Sequence, residues 1–419
     1  MNTQAISQNL VRIEVGIVFL LLSYYFGINV PPSATSIINI LSYPAVCILI
    51  ILRWKRVFYA ATQEFSLLLL HALAFLSIIW SAAPDVTENE IKALCRVALF
   101  GVYLAARFSL KEQMKLLTVV LATAMITSFI AVLVFPSYGI HTADALAGSW
   151  KGIFTFKNLF AYMAAISSLL FLLILLNTQK HRKIFILLLC LSIVLLLGSQ
   201  GRTALAALMA IVSTIPTYWF LKQHYKLRVL FFTTGIFFSS VAIAVLVSNL
   251  EFVVVDLLGK NLELNGRFPI WTLMLEKAAE RPWLGYGFSG FWTSDASDAI
   301  FNLSWASLAR EAGVRFNSHN GYLELLLQLG IVGLILFTIS LISIISKTIY
   351  LLLRVKTLEL SWVLQTIFLI TLLNVADSFG ILSVNSQWSL YISFSISIAM
   401  QYSRVHRSQN KPKQVLHFT

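Results

Sequence analysis

Charged side chains are scarce in this sequence. Asp, Glu, Lys and Arg make up 12% of its 419 residues, whereas 58% of the residues are hydrophobic. A typical soluble domain is about 25% charged. The mean hydropathy of +0.82 excludes an ordinary soluble domain, and it excludes a disordered chain, which needs low hydrophobicity and high charge. Because apolar runs of about 20 residues recur along the chain, the apolar excess is predicted to face lipid as membrane-spanning helices.

Cysteine and the common metal or nucleotide motifs are also lacking. The three cysteines, Cys47, Cys95 and Cys190, all lie in apolar runs, which excludes a disulfide framework and a zinc site built on cysteine. The sequence has no P-loop and no HExxH motif, so it supports neither an ATP-driven pump nor a zinc protease. We therefore expect no metal and no cofactor.

Acidic residues are few relative to basic ones. The chain has 18 Asp and Glu against 31 Lys and Arg, which gives a net charge of +13. In a soluble protein this excess would suggest nucleic acid. In a membrane protein it is first a signal of topology, because cytoplasmic loops collect Lys and Arg. No nucleic-acid partner is predicted.

Hydropathy predicts an all-α polytopic membrane protein with about 12 transmembrane helices. If the N-terminus is cytoplasmic, 20 of the 31 Lys and Arg residues fall on the cytoplasmic side. This asymmetry predicts that both termini are cytoplasmic. The predicted spans are approximately 12–29, 34–52, 63–82, 91–107, 114–136, 158–177, 183–199, 202–221, 226–249, 319–346, 358–379 and 385–402.

A large loop on the outer side interrupts this regular pattern. Residues 1–249 carry spans 1 to 9, residues 250–318 form the loop, residues 319–402 carry the last three spans, and residues 403–419 form a basic cytoplasmic tail. Loops of this length are often functional. Within the loop, apolar residues at helical spacing from Ile270 to Ala278 predict an amphipathic helix between Arg267 and Arg281.

Several cations lie at helix starts on the predicted outer face, where topology does not explain them. A helix N-terminus attracts anions through its N–H groups and dipole, and Arg matches phosphate oxygens in a bidentate way. Cations at several helix starts on the same face therefore predict a site for phosphate or pyrophosphate. The alternative for each cation alone is that it reaches out to lipid headgroups. The cations are Lys157, Arg202, Arg267, Arg310 and Arg315.

His319 lies at the outer end of the tenth span, directly after the large loop. Because imidazole titrates near neutral pH, His319 is a candidate general base, although a lone His is more often a structural hydrogen-bonding residue. Glu324 could orient this site or merely pair with a nearby Arg. Asn374 and Asp377 lie inside an apolar run, where packing and function are equally good explanations.

The motifs, taken in order, resemble those of the bacterial O-antigen ligase and O-antigen or exopolysaccharide polymerase superfamily. The similarity covers roughly residues 65–395, and it depends on the order of the motifs rather than on any one of them. The matching stretches are Trp80 to Pro84, Gly152 to Asn158, Gly198 to Thr203, Asn265 to Arg267 with Trp271, Pro282 to Gly287, His319 to Glu324, and Gly330 to Gly333.

The resemblance implies a metal-independent, inverting glycosyltransferase of the GT-C type in the bacterial inner membrane. Such an enzyme takes an oligosaccharide from undecaprenyl pyrophosphate at the periplasmic face and passes it to a glycan hydroxyl. The resemblance assigns catalysis to Arg202, Arg267 and His319. The residues expected to bind substrate are Lys157, Asn158, Arg310, Arg315, Asn320 and Glu324.

Two alternatives differ in the acceptor and a third differs in class. A polymerase would add to a second lipid-linked glycan, whereas a ligase would add to lipid A-core; the sequence favours the polymerase. Membrane lipid and a chain-length regulator are further candidate partners. A lipid-linked sugar flippase would also have many spans, but such transporters usually show two related halves. In this sequence the large loop lies late in the chain, so its two halves are unequal.

Overall fold

The computed structural model describes residues 3–29, 32–142, 146–215, 267–304, 306–311 and 316–409. Within these ranges the chain forms α-helices joined by turns, with two isolated antiparallel bridges, Ile28 to Phe154 and Ile140 to Trp150. The all-α class predicted from hydropathy is confirmed for these residues.

The described helices are numbered here in chain order. They are α1 (Thr3–Tyr25), α2 (Pro32–Ala61), α3 (Phe65–Leu76), α4 (Pro84–Arg107), α5 (Leu110–Val134), α6 (Pro136–Gly139), α7 (Lys157–Asn177), α8 (Arg182–Gly198), α9 (Arg202–Val212), α10 (Arg267–Glu280), α11 (Asp298–Leu303), α12 (Ser307–Glu311), α13 (Gly321–Arg354), α14 (Leu358–Ala376) and α15 (Ser386–Gln409). Four of them, α5, α7, α8 and α14, begin and end within four residues of a predicted span.

Five helices in the described part of the chain are long and apolar enough to cross a membrane, which makes this a multi-pass membrane protein. They are Ala34–Ala61, Leu110–Val134, Lys157–Asn177, Gly321–Arg354 and Leu358–Ala376. Two shorter apolar helices, Phe65–Ile79 and Arg202–Val212, fall on further predicted spans. The span predicted at 226–249 lies outside the described residues, so the count of 12 stays a prediction.

The connections between helices separate into two ends of the bundle. Because short turns make consecutive helices antiparallel, the connections 80–83, 135–156, 199–201 and 377–385 fall at one end, which we call the site end. Backbone hydrogen bonds hold the connection 135–156 to its neighbours at this end. Asn29 N–H, just after α1, donates to Ile153, and Trp150 N–H donates to Gly198, the last residue of α8. The turns at 62–64, 108–109, 178–181 and 355–357 fall at the other end, which we call the opposite end.

A buried carboxylate holds three helices together at the opposite end. Glu14 of α1, only 4% exposed, pairs with Arg53 of α2 at 3.0 Å and with Arg107 of α4 at 3.1 Å. The hydroxyl of Tyr103 donates a further hydrogen bond to it at 2.6 Å. A buried charge is tolerated only when it is paired and hydrogen-bonded in this way. Removing both arginines would leave the buried carboxylate of Glu14 without a compensating charge.

The described part of the large loop, from residue 267 onward, folds into a small helical layer at the site end. The helix predicted from Arg267 is present as α10, and its buried face consists of Ile270, Met274 and Ala278. This face packs against a cluster of aromatic rings from the rest of the loop. Two short helices, α11 and α12, follow in the layer.

The layer attaches to α13 through a break in that helix. At Gly330 the backbone turns to φ 64°, ψ −165°, so the N–H groups of Ile331 and Val332 cannot reach the carbonyls of Leu327 and Gln328, their partners in a regular helix. The loop segment 282–287 supplies a hydrogen-bond partner for each of these four groups. The bonds are Tyr286 N–H to Leu327, Gly287 N–H to Gln328, Ile331 N–H to Pro282, and Val332 N–H to Trp283.

Candidate active site

His319 lies one residue before the N-cap of α13 and projects from a constrained backbone. Its φ of 51° is in the left-handed region, which residues other than glycine rarely adopt and which clusters at functional sites. The side-chain oxygen of Asn317 accepts a hydrogen bond from His319 N–H at 3.0 Å. The imidazole is 24% exposed, so it is accessible while its backbone is fixed.

Asp377 positions the imidazole of His319. It directly follows α14, is 13% exposed, and one of its oxygens lies 3.3 Å from Nδ1 of His319. The hydroxyl of Tyr162 donates to the other oxygen at 2.6 Å. This arrangement gives Asp377 two side-chain partners in a half-buried position between α7 and α13.

The charge state of Asp377 decides which imidazole nitrogen carries the proton. Burial alone would raise the pKa of Asp377, but the hydrogen bonds from His319 and Tyr162, with the positive charge of Arg267, hold that pKa below its ordinary value. An ionised carboxylate only accepts hydrogen bonds, so Nδ1 of His319 carries the proton in this pair. Nε2 is then the nitrogen that can take a proton from a substrate.

Arg267 is brought to this pair by the first turn of α10. Its guanidinium donates a hydrogen bond to the carbonyl of Ala376, the residue before Asp377. One turn further along α10, the indole N–H of Trp271 donates to the carbonyl of Ser318 at 2.9 Å. The helix therefore bridges the two backbone segments that carry Asp377 and His319. A guanidinium has five N–H donors, so Arg267 can donate hydrogen bonds to an anion while it remains bonded to the carbonyl of Ala376.

Arg202 and Lys157 form a second cationic cluster at the same end. Each is the first residue of its helix, α9 and α7 respectively, and their positive charges lie close enough to repel each other. Gly201 permits this approach, because a Cβ there would overlap the side chain of Ala161 on α7. Burial, together with the charges of nearby lysines, also lowers the pKa of His141 beside them.

Helix α7 connects the two clusters. Lys157 and Tyr162 are five residues apart on it, which corresponds to about 7.5 Å along the helix axis. Helices α9 and α14 both pack against α7, so the start of α9, with Arg202, and the end of α14, with Asp377, flank the same helix. Two of the three residues assigned to catalysis, Arg267 and His319, thus lie around Asp377, and Arg202 lies beside Lys157.

Two of the residues expected to bind substrate also hold the His319 segment in place. Asn320 caps α13 by accepting from Tyr322 N–H at 3.0 Å and Leu323 N–H at 3.1 Å. Glu324 accepts from the indole of Trp292 at 2.9 Å and from Ser318 N–H at 3.0 Å. Their substrate-binding role stays a prediction, as does that of Asn158, which is half-buried in the first turn of α7.

Arg310 lies on the outer side of the aromatic cluster rather than next to His319. It pairs with Asp298 at 2.6 Å in an exposed position and packs 4.1 Å above the ring of Phe301. The rings of Phe301 and Phe316 separate it from His319. Arg315 lies outside the described residues. In the described ranges no group of three or more His, Cys, Asp or Glu side chains is placed to hold a metal.

Sequence reasoning left Asp377 undecided and missed Tyr162. The signal for Asp377 was a carboxylate inside an apolar run, which is costly unless it has a function or a partner. Tyr162 carried no signal, because a Tyr in a transmembrane run is ordinary and its partner lies 215 positions away in the sequence. Asn374, weighed equally with Asp377, is fully buried and caps the end of α14 by accepting from Phe379 N–H and Gly380 N–H.

Two comparisons with known proteins show what part of this chain is similar to. Residues 186–338, which include Arg202, Arg267 and His319, match the family model described as O-Antigen ligase. A stretch of 116 residues is 27% identical to the exopolysaccharide production protein ExoQ of Rhizobium meliloti (strain 1021), covering 28% of this chain and 26% of that protein. The match therefore spans about a quarter of the relative's length. Over these stretches the chain is therefore similar to the O-antigen ligase family and to an exopolysaccharide production protein, as its motifs indicate.

Proposed function

We propose that this protein transfers an oligosaccharide from undecaprenyl pyrophosphate to a glycan hydroxyl, with its site end facing the periplasm. The observation that carries the proposal is the His319–Asp377 pair with Arg267 anchored beside it. A base and a fixed cation in one place are what a reaction needs when it must activate a hydroxyl and release a pyrophosphate.

The proposed reaction is a single displacement. Nε2 of His319 takes the proton of the acceptor hydroxyl as its oxygen attacks the anomeric carbon. The bond from that carbon to the pyrophosphate oxygen breaks, and its electron pair leaves with undecaprenyl pyrophosphate. Arg267, Arg202 and Lys157 stabilise the negative charge that develops on the leaving oxygen. Because attack and departure occur on opposite faces, the anomeric configuration inverts. Positive charge comes from these side chains, so we propose that no metal is needed.

The acceptor is proposed to be a second lipid-linked glycan, which makes the enzyme a polymerase of O-antigen or exopolysaccharide. The exopolysaccharide relative supports this choice. The family model supports the alternative, a ligase that uses lipid A-core. The similarity to a ligase family and to an exopolysaccharide production protein argues against the flippase alternative. Deletion of the gene in the native host separates the two acceptors: single repeats attached to core indicate a polymerase, and long chains retained on the lipid carrier indicate a ligase.

Arg267→Ala tests the proposed chemistry directly. Loss of one fixed donor to the leaving group is expected to lower the rate by about 10²–10³-fold, and Arg267→Lys should also be impaired, because Lys cannot reproduce the bidentate fork. The assay uses purified protein with a lipid-linked oligosaccharide donor. The matched control is Lys277→Ala, which removes a cation from the same helix that pairs with Glu280 at the surface. Full activity of Arg267→Ala, or loss of activity with EDTA, would contradict the proposal.

A further inference from the structure

A cavity lies at the opposite end of the bundle, away from every residue of the candidate active site. It has a volume of about 480 Å³ and lies where α2, α4 and α15 end and α5 begins. A second cavity of about 350 Å³ adjoins it, since both are lined by Ser109, Leu110, Gln401 and Arg404. Polar groups in the wall of the larger cavity include Arg56, Tyr59, Arg107, Ser109, Gln401 and Arg404.

Positive charge dominates the larger cavity. Three arginines line it, and its wall contains no Asp or Glu. Arg107 is already paired with Glu14, whereas Arg56 and Arg404 form no ion pair with any described residue. The neighbouring carboxylates do not neutralise them: Glu112 is held by Ser109 at the N-cap of α5, and Glu359 lines only the smaller cavity.

The surface beside the cavity is apolar. On the last turns of α2, Trp54 is 61% exposed and Phe58 is 73% exposed, and α2 is one of the five helices suited to cross a membrane. Exposed aromatic rings at the end of a span are typical of the boundary between lipid and water. The mouth of the cavity is therefore at the depth where lipid headgroups lie.

We propose that this cavity binds the phosphate headgroup of an anionic membrane phospholipid between Arg56 and Arg404. The acyl chains lie along the apolar face of α2 that carries Trp54 and Phe58. Basic pockets between membrane helices are known to take such headgroups. The general preference for Lys and Arg on the cytoplasmic side explains the excess of cations at this end. It does not explain why three arginines line the same cavity.

The proposal is tested by lipid binding to the purified full-length protein in detergent, where no charged membrane surface contributes. Native mass spectrometry counts retained phosphatidylglycerol and phosphatidylcholine. Arg56→Gln with Arg404→Gln is expected to weaken phosphatidylglycerol binding by roughly 10- to 30-fold and to leave phosphatidylcholine binding unchanged. The matched control is Arg182→Gln with Lys183→Gln, which removes two exposed cations from the same end but outside the cavity, and it should bind phosphatidylglycerol as the wild type does.

Three results would overturn the proposal. The first is wild-type binding of phosphatidylglycerol by the cavity variant, and the second is an equal loss in the control. The third is displacement of the lipid by inorganic phosphate at the same concentration, which would make a soluble anion the occupant. If the double variant does not fold, the single variants Arg56→Gln and Arg404→Gln give the same comparison. Each is expected to lose roughly fivefold, and unchanged binding in both would equally contradict the site.

Discussion

At the scale of single residues, the candidate site depends on how one carboxylate is held. Asp377 has hydrogen bonds from His319 and Tyr162, and Arg267 is anchored to the preceding carbonyl. These partners keep Asp377 ionised despite its partial burial. The ionised carboxylate fixes the proton on Nδ1, so Nε2 of His319 is the nitrogen without a proton, as a general base requires.

Asp377→Asn should impair the reaction while leaving the substrate-binding cations in place. The amide cannot supply the negative charge that stabilises the imidazolium after proton transfer, so the turnover rate is expected to fall on the order of 10²–10⁴-fold. Turnover is measured with a saturating lipid-linked donor. Asp298→Asn is the control, because that carboxylate forms an exposed pair with Arg310. An Asp377→Asn enzyme with near-normal turnover would remove Asp377 from the mechanism.

The pH dependence distinguishes a base from a phosphate-binding cation at His319. A base must be neutral before attack, so the rate should fall as the pH drops through the titration of an imidazole, ordinarily near pH 6.5. Because the pKa of Asp377 is held below its ordinary value, Asp377 keeps its charge throughout this range and does not contribute to the fall. A pH–rate profile of the purified wild type and His319→Gln makes the measurement.

The opposite result would assign His319 a different role. A phosphate-binding imidazolium must be protonated, so the wild-type rate would rise on acidification below about pH 6. Near-normal turnover of His319→Gln would also exclude His319 as the base.

At the scale of secondary-structure elements, the break in α13 is what attaches the helical layer to the membrane bundle. Two hydrogen bonds that a regular helix would make within itself are replaced by four bonds to the segment 282–287. Gly330 of the sequence motif is explained by this exchange, because only a glycine readily adopts the backbone conformation at position 330.

Gly330→Ala is expected to destabilise this attachment. The residue has a φ of +64°, and a Cβ there would overlap the carbonyl of Trp283. The expected loss of unfolding free energy is about 1–3 kcal/mol, seen as a lower Tm in detergent. Gly16→Ala is the matched control, because nothing lies within 4 Å of its Cβ position in α1; it should change stability by less than about 1 kcal/mol. Equal melting temperatures for both variants would show that the attachment tolerates a side chain.

At the scale of the whole molecule, the two ends of the bundle differ in charge and in construction. The opposite end has short turns, the buried Glu14 cluster and the basic cavity, whereas the site end has the helical layer and the His319–Asp377 pair. The charge asymmetry predicts that the opposite end is cytoplasmic and that the site end faces the periplasm.

Cysteine labelling tests this orientation. In a background where Cys47, Cys95 and Cys190 are replaced, Thr293→Cys places an exposed thiol in the helical layer and Gln179→Cys places one in an opposite-end turn. A membrane-impermeant reagent added to cells with a permeabilised outer membrane should label position 293 and not position 179. Labelling of position 293 only after the inner membrane is broken would reverse the predicted topology.

The sequence by itself determined the helical class and the membrane setting, because hydropathy is a local property of the chain. It also singled out Arg202, Arg267 and His319 as candidate site residues, from charge at helix ends and from the family resemblance. Only the tertiary structure decided what surrounds them. The Tyr162–Asp377 bond joins two helices that are distant in the sequence, and Arg310 is separated from His319 by the rings of Phe301 and Phe316. Such pairings depend on how the helices pack against one another, which the spacing of residues along a single helix does not specify.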